Sequence, residues 1–273
     1  MMEKPADDGF MRKTAVRPRC FADTPGCPEA AADSYTGLVR RRNEDSFLYA
    51  YDRSGRRLLA AVADGIGGTC NGDVAGSFSL RMLEQKWRSF VIPESNREEI
   101  VRHFLLDAAA DLNERIHAVN NLPGGSGCMG TTLAAAVFLE ELVVGINAGD
   151  SRMYCIRNGR ISQLSRDHHL AGELVRRGKI SPRDAARIPG GNMLTQAIGP
   201  NRTVEPYCVA ADLHSGDQFL LCTDGLTAHV SDAEILETAM RESSAASVVK
   251  SLCHLTFRRG ARDNTTVIFV RIP

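Results

Sequence analysis

Hydrophobic positions along the chain follow two periods. Residues 46–51 and 57–63 are dense in Leu, Ala, Val, Phe and Tyr and predict two strands joined by the turn Asp52-Arg53-Ser54-Gly55. Beyond them, Asn71 or Asp73 can cap a helix running to about Phe90, with Val74, Phe78, Met82 and Trp87 expected on its buried face. Ser95 with Glu98 reads as a capping box opening a second helix, whose expected stripe is Ile100, Phe104, Leu112, Ile116 and Val119. Pro123-Gly124-Gly125-Ser126-Gly127 is a loop, followed by strands near 131–139, 142–148 and 152–157. Asn158-Gly159 then predicts a tight hairpin into 161–164.

The pattern changes over about 168–190. His168 to Lys179 reads as helical, Gly178 offers a stop, and Ser181-Pro182 starts another short helix. This polar, basic stretch, with Arg176, Arg177, Lys179, Arg183 and Arg187, lies between two strand blocks. Strands are expected again at 194–198, 204–211 and 217–223. Ser231 with Glu234 forms a further capping box, helices run to about Arg259 with Gly260 as the stop, and a strand covers 265–272. Strands, two helices, strands, an insertion, strands, two helices and a strand make an α+β order, with helices layered outside a mostly antiparallel core. Residues 1–33 lack periodicity and any apolar segment of a secretory signal, and are expected to be a flexible extension preceding one domain at 34–273.

Composition narrows the function classes. Lys and Arg total 33 and Asp and Glu total 33, so a zero formal charge gives no support for nucleic-acid or acidic-membrane partners. No apolar run approaches the ~18 residues of a membrane span. The eight cysteines show no Cys-x-x-Cys spacing, and reduced thiols in a cytoplasmic protein are expected, although Cys20 and Cys27 could pair.

The candidate chemistry is carboxylate chemistry. Asn43-Glu44-Asp45, Ala63-Asp64-Gly65, Gly149-Asp150-Ser151-Arg152, Thr223-Asp224-Gly225 and Arg262-Asp263-Asn264 each stand where a strand should begin or end. A single Asp-Gly after a strand is usually only a turn. Several acids at strand tips are costly unless something neutralises them, and oxygen ligands with few His suit Mg²⁺ or Mn²⁺ rather than zinc. Other motifs fail: the Gly125-x-x-x-x-Gly130 spacing carries Thr131 where a P-loop needs Lys, and Cys70 replaces the third glycine of a dinucleotide fingerprint.

Taken in order, Arg40-x-x-Asn43-Glu44-Asp45, Val62-Ala63-Asp64-Gly65-Ile66-Gly67-Gly68, Gly130-Thr131-Thr132, Gly149-Asp150-Ser151-Arg152, Thr223-Asp224-Gly225 and Asp263-Asn264-Thr265-Thr266 resemble the metal-dependent protein phosphatases of the PPM, or PP2C, family. The resemblance spans about residues 34–272 and is closest to the bacterial branch, whose flap is similar to residues 170–181. It implies two packed antiparallel sheets flanked by helix pairs, with a flap at about 168–190. It implies two Mn²⁺ or Mg²⁺ ions bridged by Asp64, with the Gly65 carbonyl on one and Asp224 and Asp263 on the other. Glu44 and Asp45, with Asn264, would hold waters or orient ligands. Asp150, with Asp224, would serve a third, weaker ion, and Arg40 would bind phosphate. Arg176, Arg177 and Lys179 would meet the phosphoprotein.

Two departures stand out. The turn 66–72 has no histidine, where relatives often carry a candidate general acid, and Ala228 replaces another acid found in some relatives. The expected function is metal-dependent hydrolysis of phosphoserine and phosphothreonine on proteins, opposing a Ser/Thr kinase and reversing its action on its targets, by a monomer. The alternatives are a catalytically weak module that binds a phosphoprotein or regulatory partner, and a structural cation-binding protein. Neither accounts for Asp64, Asp224, Asp263 and Arg40 together.

Overall fold

The computed structural model describes residues 26–66, 71–123, 127–185 and 187–273. In chain order the elements are β1 (Glu29–Tyr35), β2 (Ser46–Tyr51), β3 (Leu58–Ala63), β4 (Gly65–Ile66), α1 (Gly72–Ser89), α2 (Arg97–Asn120), β5 (Gly130–Thr131), β6 (Leu133–Phe138), β7 (Leu142–Ala148), β8 (Arg152–Arg157), β9 (Arg160–Gln163), α3 (Leu170–Arg176), α4 (Pro182–Ala185), β10 (Tyr207–Asp212), β11 (Gln218–Cys222), α5 (Asp224–Thr227), α6 (Asp232–Arg241), α7 (Ala245–Arg258) and β12 (Thr265–Arg271). Two five-stranded sheets form, in the orders β1-β12-β11-β8-β9 and β10-β7-β6-β3-β2, antiparallel throughout.

Three apolar layers hold these sheets and helices together. Leu58, Ala60, Val62, Ala134, Ala136, Phe138, Phe219, Leu221, Ile268 and Val270 fill the space between the sheets. Central strands β3 and β6 are buried on every residue, so they read as continuous apolar runs rather than alternating ones. Their alanines on the inner face leave room for Phe138 and Phe219, which meet edge-on at 5.1 Å. Helices α1 and α2 cover one outer face, and α6 and α7 cover the other, giving a helix-sheet-sheet-helix sandwich. Among the described residues, no helix is long and apolar enough to cross a membrane.

Several local expectations are corrected. In α1 the buried residues are Gly72, Ala75, Gly76, Ser79, Leu80, Leu83 and Trp87, while Val74 is exposed. The N-terminal half meets the sheet through the small residues Gly72, Ala75, Gly76 and Ser79, the C-terminal half buries Leu80, Leu83 and Trp87, and Phe78 and Met82 pack partly buried against the same core. Helix α2 likewise buries Val101, Leu105, Ala108 and Ala109 with Leu112 and Ile116, leaving Val119 exposed. It starts at Asn96, whose φ of 53° suits a residue tolerant of the left-handed region, and makes no Ser95 capping box. Residues 29–33, placed in the flexible extension, are strand β1, because β12 supplies backbone partners from Glu29↔Arg271 to Tyr35↔Thr265. Residues 1–25 lie outside the described part of the chain. Residues 194–198 make only single bridges, Thr131↔Ile198 and His169↔Leu194, instead of a strand. Cys27 is a free thiol, as are Cys155, Cys208, Cys222 and Cys253, whereas Cys128 is disulfide-bonded. The expectation of reduced thiols therefore fails at Cys128, and the pairing considered for Cys27 is not made.

Candidate active site

The strand registers bring the acidic clusters to one end of the sandwich. Ser46 pairs with Ala63, which sets Asp45 and Asp64 side by side at adjacent strand ends. Cys222 pairs with both Arg152 and Val267, so the tip of β11 carrying Asp224 meets the β7–β8 turn with Asp150 and the start of β12 after Asp263. A polar cavity of about 190 Å³ opens there, lined by Arg40, Glu44, Asp64, Gly65, Ile66, Thr132, Asp150, Leu194, Asp224, Asp263 and Asn264. Of the sequence-predicted site residues, Asp45 sits just beneath the cavity and is fully buried. Arg176, Arg177 and Lys179 are not among the residues lining it.

Hydroxyl side chains fix the carboxylates. The Asp64 amide donates to Thr132 Oγ1 at 2.9 Å, while its carbonyl accepts from Thr131 Oγ1 at 2.9 Å and from the Thr132 amide at 2.8 Å. This is the physical content of Gly130-Thr131-Thr132: the two threonines hold the backbone on both sides of Asp64. Asp45 Oδ2 accepts from Thr223 Oγ1 at 2.8 Å and Thr266 Oγ1 at 2.7 Å. Thr223, Thr266, Thr132 and Ser151 were missed as site residues. The sequence signal for Thr223 and Ser151 was their place next to Asp224 and Asp150, and for Thr132 and Thr266 only their membership of the ordered motifs.

Backbone approach is equally tight. A Cβ on Gly65 would collide with the Gly72 carbonyl, and one on Gly225 with the Asn264 carbonyl, so each glycine lets a second segment close on the site. The turn expected to lack a general-acid histidine falls mostly at residues 67–70, outside the described residues. Ala228 ends α5, its amide donating to the Asp224 carbonyl at 2.8 Å.

Electrostatics show what the cavity is complementary to. Burial first, and then the charge of Asp224, pushes the Asp150 carboxyl up to about 7. Burial pushes Asp45 up to about 7 against the pull of its two threonine hydroxyls. Asp64 is raised well above the usual carboxylate range by burial and by Asp45, Asp224 and Asp150, and Asp224 is raised by burial and Asp263. Asp224 Oδ1 is buried with no hydrogen-bond partner among the described residues. Arg40 reaches in from a half-exposed position, with a guanidinium nitrogen 2.5 Å from Asp263 Oδ2. It is one cation facing several acids. Among the described residues, no three His, Cys, Asp or Glu side chains are grouped as a ready-made ion site. Converging acids with an orphaned oxygen and no closed protein cage suit a hard divalent cation that keeps several waters.

The flap spends much of its charge on itself. Glu173 pairs with Arg176 and, at 2.6 Å, with Arg177, and Arg176 also donates to the Asp167 carbonyl at 3.0 Å. Arg152 grips Asp167 at 2.6 to 3.1 Å through Nε and Nη2, so the arginine of Gly149-Asp150-Ser151-Arg152 ties the flap root to β8.

A family model for protein phosphatase 2C matches residues 39–256. The chain belongs to the protein phosphatase 2C family. Among curated relatives, the serine/threonine phosphatase stp of Listeria innocua is 32% identical over 234 residues, covering 86% of this chain and 92% of that protein. The Streptococcus agalactiae serine/threonine phosphatase superposes with a TM-score of 0.83 at 29% identity, covering 90% of this chain and all of that one. The catalytic domain of the phosphatase PstP, solved with two manganese ions, superposes with a TM-score of 0.72 at 31% identity, covering 90% and 98%. Solved protein phosphatase 2C structures thus share the two-sheet, four-layer architecture seen in this chain.

Proposed function

We propose that this chain is a metal-dependent serine/threonine protein phosphatase whose centre is organised around Asp64. The observation that carries this reading is the gathering of Asp64, Asp150, Asp224 and Asp263 with Arg40 around one small cavity. Asp64, the Gly65 carbonyl, Asp224 and Asp263 would hold two Mn²⁺ or Mg²⁺ ions, with Asp64 shared between them, and Asp150 with Asp224 would hold a third, weaker one. Bound divalent ions neutralise phosphate charge and bring the pKa of a water toward neutrality.

The residues of the chain do the remaining work. Arg40 offers a planar fork to two phosphate oxygens, and Asp263 orients it. Thr131 and Thr132 keep the Asp64 backbone fixed, so its carboxylate is presented without rearrangement. Asp45, gripped by Thr223 and Thr266, acts from beneath as a fixed negative charge once a cation is present. The substrate is a phosphoprotein made by a Ser/Thr kinase, and the enzyme opposes that kinase.

The test is hydrolysis of phosphoserine and phosphothreonine peptides and of an aryl phosphate, with Mn²⁺ and with chelator. Metal-dependent turnover of both substrate types is expected. Peptide binding without turnover of any substrate would favour the binding-module reading.

A further inference from the structure

Nine large hydrophobic side chains are exposed among the described residues, and three of them lie within two residues, along the chain, of a side chain that lines the catalytic cavity: Leu38, Val39 and Met193, at 51%, 66% and 61% exposure. Leu38 and Val39 immediately precede Arg40, and Met193 precedes Leu194, and both Arg40 and Leu194 line the cavity. A single exposed apolar residue needs no explanation. Three fixed beside one polar pocket do.

Fixed they are. The Leu38 amide donates to the Ala261 carbonyl at 2.8 Å. Gly37 before it presses against the Asp263 and Ala261 carbonyls so closely that no side chain fits there. The Met193 amide donates to the Gly190 carbonyl at 2.9 Å, and its own carbonyl accepts from Leu170 at 2.9 Å. Both apolar segments are thus held by backbone bonds beside the site, not on free loops. Two of the flap cations, Arg176 and Arg177, are committed to Glu173, and no flap cation lines the cavity.

A cavity of about 190 Å³ has room for a phosphoryl group and the side chain bearing it, but not for a folded segment. The substrate backbone must run across the rim. At ~3.3–3.6 Å per extended residue, the neighbours of the phosphorylated residue then lie over the rim. We infer that Leu38, Val39 and Met193 form an apolar substrate rim, selecting phosphoserine or phosphothreonine segments flanked by apolar residues. This rests on the phosphatase reading above and adds a substrate class to it.

The experiment compares kcat/KM on two phosphothreonine peptides of equal length and charge, one with Leu and Val flanking the phosphothreonine and one with Gln and Ser. An aryl phosphate, too short to reach the rim, reports the state of the catalytic centre. The expected preference for the apolar peptide is about tenfold, corresponding to roughly 60 Å² of apolar surface leaving water. The double variant Val39→Ser with Met193→Ser should shrink that preference to about threefold or less, with the aryl phosphate rate retained. Equal kcat/KM on the two peptides in the wild type, or an undiminished preference in the variant, overturns the rim. If Mn²⁺ supports no hydrolysis of either peptide or the aryl phosphate, the phosphatase reading falls and the rim with it.

Discussion

The side-chain oxygen of Asn264 accepts the Glu44 amide at 2.8 Å across 220 residues of sequence. Its side-chain nitrogen donates to the Thr36 and Arg42 carbonyls at 2.8 and 2.9 Å. One buried amide therefore holds the whole segment that carries Arg40 and Glu44. Asn264→Ala removes three hydrogen bonds and leaves a backbone donor and two acceptors short of partners. A loss of about 2–3 kcal/mol in unfolding free energy is expected, measured by urea denaturation. Asn264→Asp keeps the acceptor but turns a carboxylate oxygen toward two carbonyls and adds a buried charge beside the acidic cluster, so it should cost at least as much as alanine. A wild-type midpoint in Asn264→Ala would show that the segment is held by something else.

Asp64→Asn should reduce hydrolysis of every substrate by orders of magnitude. It should also erase the thermal stabilisation that Mn²⁺ gives, which is ~2.7 kcal/mol for a ligand at a hundredfold excess over its Kd. The two readouts are independent, because melting needs no turnover. Near-normal activity in this variant would defeat the bridging role.

The chelated protein should become less stable as pH rises from about 5.5 to 8. Asp45 and Asp150 are pushed up to about 7, and Asp64 and Asp224 are also raised. Unfolded, such carboxyls release their protons near 4. The folded state therefore holds extra protons, giving stability that is full below about pH 4 and lost as pH climbs to about 7. His168, lowered by burial and by Arg176 and Arg166, works in the opposite direction, but it is one group against four. Carboxylates held low by arginine or lysine partners, such as Asp111, act at more acid pH. Mn²⁺ should flatten or reverse the trend. A melting temperature of the chelated protein that rises over this range would contradict the charge balance described here.

Arg40→Ala should raise KM for a phosphopeptide more than it lowers kcat, since the guanidinium grips phosphate in the ground state and the transition state alike. Removing it also deprives Asp263 of its 2.5 Å partner, so Arg40→Lys serves as a partial rescue that keeps the charge without the fork. Unchanged KM and kcat in Arg40→Ala would assign Arg40 to the solvated run Arg40-Arg41-Arg42.

The sheets were legible in the sequence because strand boundaries coincide with punctuation that has one physical meaning. Asn158 and Gly159 both take positive φ and turn β8 into β9, and Ser231 with Glu234 forms the capping box that opens α6. The positions of the carboxylates followed from the same strand ends. Helix faces were less legible. Periodicity cannot distinguish a large residue at a flank from a small one pressed on a sheet, so Val74 was read inward and Ser79 was not. Strand β1 escaped because an edge strand beside β12 needs few apolar side chains of its own. The hydroxyl shell of Thr132, Thr223 and Thr266 is visible only once the chain is folded, since its partners lie 68 to 221 residues away.

Strand β12 lies between β1 and β11, and Asp263 and Asn264 stand just before it. This arrangement has a consequence for synthesis. Residues 26–66 leave the ribosome early with Arg40, Glu44, Asp45 and Asp64, yet β12, the sheet partner of β1, and Asp263, Asn264 and Thr266, which hold Arg40, the Glu44 amide and Asp45, arrive last. No nascent or truncated chain ending before Asp263 can hold Arg40 in place, so dephosphorylation begins only when translation of the catalytic unit is essentially finished.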